Sequence, residues 1–89
     1  MFVVVAYDIS DDERRLKVSQ LLANFGDRVQ KSVFECDISE AQFARLQGGV
    51  VSLIRPEADT VRYYRVCESC RAKMQAIPPP AGGSDQLIV

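Results

Sequence analysis

An α+β sandwich, with helices on one face of an antiparallel sheet, is the fold this sequence predicts, and three observations carry the prediction. The run Phe2-Val3-Val4-Val5-Ala6-Tyr7 is uncharged and rich in β-branched residues, the composition of a buried strand, and it stops on Asp8. Ser10-Asp11-Asp12-Glu13 and Ser39-Glu40-Ala41-Gln42 both have the form of a capping box, and each precedes an apolar repeat of helical period. Stretches of strand composition at 28–38 and 59–66 follow the two helices.

The first helix is expected to be capped by Ser10 and Glu13, with Asp11 and Asp12 complementing its dipole. It should run to about Asn24 or Phe25 and stop at Gly26, a natural residue beyond a helix end. Its apolar side comprises Leu16, Val18, Leu21, Leu22 and Phe25. Arg14, Arg15 and Lys17 lie near the start, where the dipole disfavours cations, so they point to a role outside helix stability.

In Arg28 to Ile38 the apolar positions Val29, Val33, Phe34, Cys36 and Ile38 slip phase at Val33-Phe34. Such a slip means a bulge or a break into two short strands, and no Asn-Gly or Asp-Gly turn decides between them. The second helix keeps phase through Phe43, Leu46, Val50, Leu53 and Ile54 across Gly48-Gly49, which favours a continuous helix ended by Arg55-Pro56. Val61, Tyr63, Tyr64 and Val66 make a further strand, and Cys67 to Met74 a short helical turn. Pro78 to Gly83 reads as an extended linker before a terminal strand at Gln86-Leu87-Ile88-Val89, four residues suited to pairing with a sheet edge.

The order is that of a ferredoxin-like βαββαβ sandwich with an extra C-terminal strand. The domain spans 1–76, and 77–89 form a Pro/Gly-rich linker and a strand expected to swap into a dimer partner. A chain of 89 residues buries only about 60–65% of its unfolded surface, so oligomerisation is the expected supplement to stability.

Composition narrows the chemistry. With no histidine, a His-based triad or His metal site is excluded within one chain. A net charge of −1 excludes a globally basic nucleic-acid binder, so any nucleic-acid footprint is local. Cys67-x-x-Cys70 reads as reduced thiols, half a zinc site or a redox pair; zinc needs two more ligands, and Cys36 is the only other cysteine. No signal-peptide pattern opens the chain and no run is long enough to span a membrane, so a cytoplasmic protein without a membrane partner is expected. Asp8 stands where the chain leaves a rigid strand for solvent. That place suits a metal ligand or general base, and equally a turn acceptor of backbone N–H bonds.

Val3-Val4-Val5-Ala6-Tyr7-Asp8-Ile9-Ser10, Arg14-Arg15, Arg28 to Cys36, and Val61-Arg62-Tyr63-Tyr64 followed by Cys67-Glu68-Ser69-Cys70 closely resemble the CRISPR-associated protein 2 family, the small partner of the CRISPR spacer integrase. The resemblance implies a homodimer in which the two Asp8 carboxylates face each other across a two-fold axis. It also implies a Mg²⁺- or Mn²⁺-dependent endonuclease acting on RNA or double-stranded DNA, or a non-catalytic bridge that grips duplex DNA beside the integrase subunit. Asp8 is then the catalytic and metal-binding residue. Arg14, Arg15, Lys17, Arg28 and Lys31 become candidates for phosphate contacts, and Tyr7, Ser10 and Phe34 candidates for a cleft or interface. Departures from the family pattern lie mainly at Gly48-Gly49 and in the Pro-rich tail.

Overall fold

The computed structural model describes residues 1–77; the linker at 78–83, the strand expected at 86–89 and most of the 77–89 segment lie outside the described residues. The elements are β1 (Phe2–Asp8), α1 (Asp12–Leu22), β2 (Asp27–Gln30), β3 (Val33–Asp37), α2 (Glu40–Leu53), β4 (Thr60–Val66) and α3 (Glu68–Ala72). The four strands form one sheet in the order β2-β3-β1-β4, every neighbouring pair antiparallel. This is the ferredoxin-like arrangement, with β1 at the centre.

Alternation along β1 sorts its residues onto two faces. Val3, Val5 and Tyr7 point to the helices, with Cys36 and Phe34 of β3 and Tyr63 and Val61 of β4 beside them in register. Val18 and Leu22 of α1 and Phe43, Leu46 and Val50 of α2 close over this face, and all are buried. Phe43 meets Tyr63 edge-on at 5.4 Å, and the Arg65 guanidinium lies 5.1 Å over the Phe43 ring while pairing with Glu40. The opposite face carries Val4, Ala6 and Asp8 with Val33, Glu35, Arg62, Tyr64 and Val66, and among the described residues no helix covers its centre. Only its Phe2 end is roofed: Arg71 of α3 sits 4.1 Å over the Phe2 ring and bonds Asp37 at 2.9 Å, holding the Asp37 carboxyl below its usual range.

The second capping box forms as its sequence predicts, with Ser39 and Gln42 satisfying each other's N–H groups at 3.1 and 2.8 Å. The first does not. Asp11, not Ser10, caps α1 and accepts from the Arg14 amide at 2.9 Å. Ser10 stays in the loop before it, where the Arg15 guanidinium bonds the Ile9 and Ser10 carbonyls at 2.9 and 3.3 Å.

The far end of α1 also differs, since the helix stops at Leu22 and Asn24 to Gly26 continue as tight turns. Gly26 is needed there for close approach rather than for a left-handed conformation. A Cβ at this position would collide with the Glu35 carbonyl and lie 2.6 Å from the Cys36 sulfur. Leu16, expected on the apolar side, is 56% exposed.

The phase slip resolves into two strands and a bulge. Lys31-Ser32 turns the chain, and the register shifts between Arg28 and Gln30, leaving Val29 as the extra, exposed residue. Val33 and Phe34 are simply consecutive residues on opposite faces. The α2 helix runs unbroken through Gly48-Gly49, as its phase predicts. No helix among the described residues is long and apolar enough to cross a membrane.

Candidate functional site

Asp8 is the last residue of β1, exposed, on the face that the helices leave open, and in register with Thr60 of the edge strand β4. Five β1 residues pair with β3 and all seven with β4, and the Tyr7 amide bonds the Ser32 carbonyl at 3.0 Å, so the backbone that presents this carboxylate is held on both sides up to the residue before it. Among the described residues no group of three or more His, Cys, Asp or Glu side chains converges as a metal cluster. Asp8 is thus an accessible carboxylate outside any such cluster. That suits a hard cation which keeps most of its waters and takes one or two carboxylates.

Tyr7, the neighbouring residue, faces the other way. It is buried, lies 6.3 Å from the Phe34 ring, and donates from its hydroxyl to the Lys31 carbonyl at 3.4 Å. Burial pushes its phenol up against the pull of Arg28 and Arg15, so it stays protonated near neutrality. Tyr7 thus lines a groove of about 560 Å³ between α1 and the β2–β3 hairpin, whose charged walls are Arg15, Arg28 and Lys31 with the Asp12 carboxylate among them. Phe34 is 2% exposed and belongs to the core, not to a cleft or surface interface of the protomer. Ser10 is exposed and contributes only its carbonyl, to Arg15.

The five candidate cations separate into groups. Arg15, Arg28 and Lys31 share the groove; Arg14 and Lys17 do not line it. Lys17 lies on α1 in a solvent-exposed pair with Glu13 at 3.8 Å. Arg15 also pairs with Asp12.

Arg14 makes a two-pronged bond to Asp59, Nε to Oδ2 at 2.8 Å and Nη2 to Oδ1 at 3.0 Å, while the Arg55 amide donates to the same carboxylate at 2.9 Å. The Arg14 guanidinium, then the Arg55 amide, hold the Asp59 carboxyl below its usual range. The cation that looked misplaced at the start of α1 thus has an internal partner that fastens the helix to the loop before β4. Asp59 was missed in the sequence. Its only trace was the unsatisfied position of Arg14, which required an acid somewhere beyond the helix.

At the opposite end of β4, Cys67 precedes α3 and Cys70 lies within it, both exposed, whereas Cys36 is buried in the core. Burial pushes the Cys36 thiol up; Cys67, sharing a 3.3 Å hydrogen bond with the Ser69 hydroxyl, is held down at about 7.

Comparisons with known proteins agree with this layout. A family model described as CRISPR associated protein Cas2 matches residues 1–74. The chain is 43% identical to CRISPR-associated endoribonuclease Cas2 1 of Chloroflexus aurantiacus over the whole of both chains. Among solved structures, a Thermus thermophilus protein superposes with a TM-score of 0.72 at 42% identity, over 74% of this chain and 80% of that one. Streptococcus pyogenes Cas2 superposes with a TM-score of 0.78 at 28% identity, over 85% and 98%. The family-model match over residues 1–74 and the 43% identity over the whole chain place the protein in the CRISPR associated protein Cas2 family, in agreement with its sheet order.

Proposed function

We propose that this protein acts in CRISPR adaptation as a homodimeric endonuclease that hydrolyses phosphodiester bonds of RNA or double-stranded DNA and partners the integrase subunit. The observation that carries the reading is Asp8, an exposed carboxylate at the end of the central strand on the uncovered face of the sheet. A second protomer laid on that face about a two-fold axis brings a second Asp8, and the two carboxylates together suit a Mg²⁺ or Mn²⁺ ion with its waters. Such an ion, when bound, supplies an activated water and neutralises charge on the phosphate. The name of the Chloroflexus relative, an endoribonuclease, supports this activity.

In this reading Asp8 holds the cation, and the rigid ladder of β1 fixes the carboxylate so that little reorganisation is needed. Without the cation the paired carboxylates repel one another. The test is Asp8→Asn assayed with Mg²⁺ on RNA and on duplex DNA. Cleavage should fall by about a hundredfold or more with the melting midpoint unchanged, since an exposed strand-end residue is replaced by an isostere. Undiminished cleavage removes Asp8 from the reaction.

A second reading, a non-catalytic subunit that grips nucleic acid for the integrase, is favoured by a specific feature. The groove of Arg15, Arg28 and Lys31 is lined by Tyr7 on the helix side of the sheet while Asp8 belongs to the other face, so gripping and cleavage rest on different residues. The double variant Arg28→Glu, Lys31→Glu should weaken duplex binding and flatten its salt dependence while Asp8→Asn leaves both intact. Arg14 serves poorly for this test because reversing it also breaks the bond to Asp59.

A further inference from the structure

The CxxC turn between β4 and α3 takes no part in cation or nucleic-acid binding as read above. We propose that Cys67 and Cys70 form a redox-active dithiol, with Cys67 the attacking sulfur and a small disulfide of the oxidised-glutathione type the substrate.

The geometry favours ring closure. Cys67 caps α3 in an extended conformation, and the Arg71 amide bonds the Cys67 carbonyl at 2.8 Å, so the first helical turn runs from Cys67 through Cys70. Residues three apart on such a turn have Cα atoms roughly 5–6 Å apart, within the span of a disulfide, so closing the bond asks little of the backbone. Both sulfurs are exposed to a reagent, while Cys36 is sealed under the helices.

The two thiols are also unequal. The Ser69 hydroxyl is the firm hydrogen-bond partner of the Cys67 sulfur at 3.3 Å, and the neighbouring Cys67 sulfur pushes the Cys70 thiol up. One sulfur of the pair is therefore a ready thiolate near neutrality and the other a thiol beside it, the division of roles that exchange requires.

The Cys67 thiolate attacks one sulfur of the substrate disulfide, forming a mixed disulfide and releasing one thiolate. Cys70 gives its proton to that thiolate or to solvent and attacks the Cys67 sulfur, forming the Cys67–Cys70 bond and releasing the second thiolate. The protein dithiol loses two electrons and two protons, and one substrate disulfide becomes two thiols. The bond lies one turn from Arg71, whose contacts with Asp37 and Phe2 fasten α3 to the sheet, so oxidation stiffens that attachment.

The full-length reduced protein, mixed with oxidised glutathione at neutral pH and digested with trypsin, should yield the peptide 66–71 lacking two hydrogens, with no inter-chain disulfide on a non-reducing gel. Cys70→Ser should arrest as a glutathione adduct on Cys67, formed on the order of tenfold faster than any adduct on Cys67→Ser. The proposal is overturned if the 66–71 peptide stays a dithiol. Oxidation solely between chains, or equal adduct rates for the two variants, overturns it as well. These readouts are independent of cleavage by Asp8.

Discussion

The two faces of the sheet are built from alternate residues of the same strands and have opposite characters. On the helix side Val3, Val5, Phe34 and Cys36 are almost wholly excluded from water, and each packs against a side chain this chain itself supplies. On the other side Val4, Ala6 and Val33 are half-buried, Tyr64 is 48% exposed, and Asp8 ends the row. The first face is a finished core. The second is a mixed apolar and charged surface, and in the function proposed above a second protomer covers it. The same seven residues of β1 thus supply the packed core on one side and an open, mixed surface on the other.

The largest effect should come from the finished face. Leu46 is fully buried between α2 and the sheet, and Leu46→Ala leaves a cavity costing about 3 kcal/mol, a fall in melting midpoint of roughly 15 °C by calorimetry. If the midpoint barely moves, that face is looser than its burial indicates.

Next in size is Asp59→Asn, which removes the charge facing Arg14 and should lower the midpoint by roughly 10 °C at neutral pH. Its pH dependence is directional. The Asp59 carboxyl is depressed in the folded protein, so its contribution is complete above the unfolded value near 4 and vanishes as pH falls through the lower, folded value. The gap between the native protein and Asp59→Asn should therefore be widest near neutrality and close in acid. A gap that stays constant down to about pH 2 denies the Arg14–Asp59 bond its role.

The open face predicts a smaller change of a different kind. Val4→Lys sets a charge at its centre while leaving the helix side untouched, so the midpoint of the protomer should shift by no more than a few degrees. Self-association, followed by sedimentation, should weaken by about tenfold or more. Unchanged association would mean that the partner protomer sits elsewhere.

How much of this was legible follows the same division. The β1 run, the Ser39–Gln42 box and the phase of α2 across two glycines are local signals, and the structure keeps all three. The Ser10–Glu13 box failed because Asp11, an equally good capping residue one position on, takes the N-cap and bonds the Arg14 amide. The Arg14–Asp59 bond joins residues 45 apart in the chain, a distance over which periodicity carries no information. Asp8 stood out as a strand-end carboxylate from the start, yet which face it shares, and with what, depends on the register of three strands. Tyr7 and Asp8 adjoin in sequence and serve opposite sides of the sheet.

The smallest effect tests the contrast between packed and open surfaces at single-residue scale, in Gly48 and Gly49 of α2. Both lie inside the helix, where glycine costs about 0.5–1 kcal/mol relative to alanine through the freedom it retains when unfolded. A Cβ on Gly48 meets nothing within 4 Å, so Gly48→Ala should recover that energy and raise the midpoint by a few degrees. A Cβ on Gly49 falls 2.8 Å from Leu21 Cδ2, where α2 crosses α1, so Leu21 must move before the methyl fits. The same entropic gain acts on both variants and only the contact differs. Gly49→Ala should thus melt below Gly48→Ala, and their difference in midpoint measures how tightly the two helices are pressed together over the finished face.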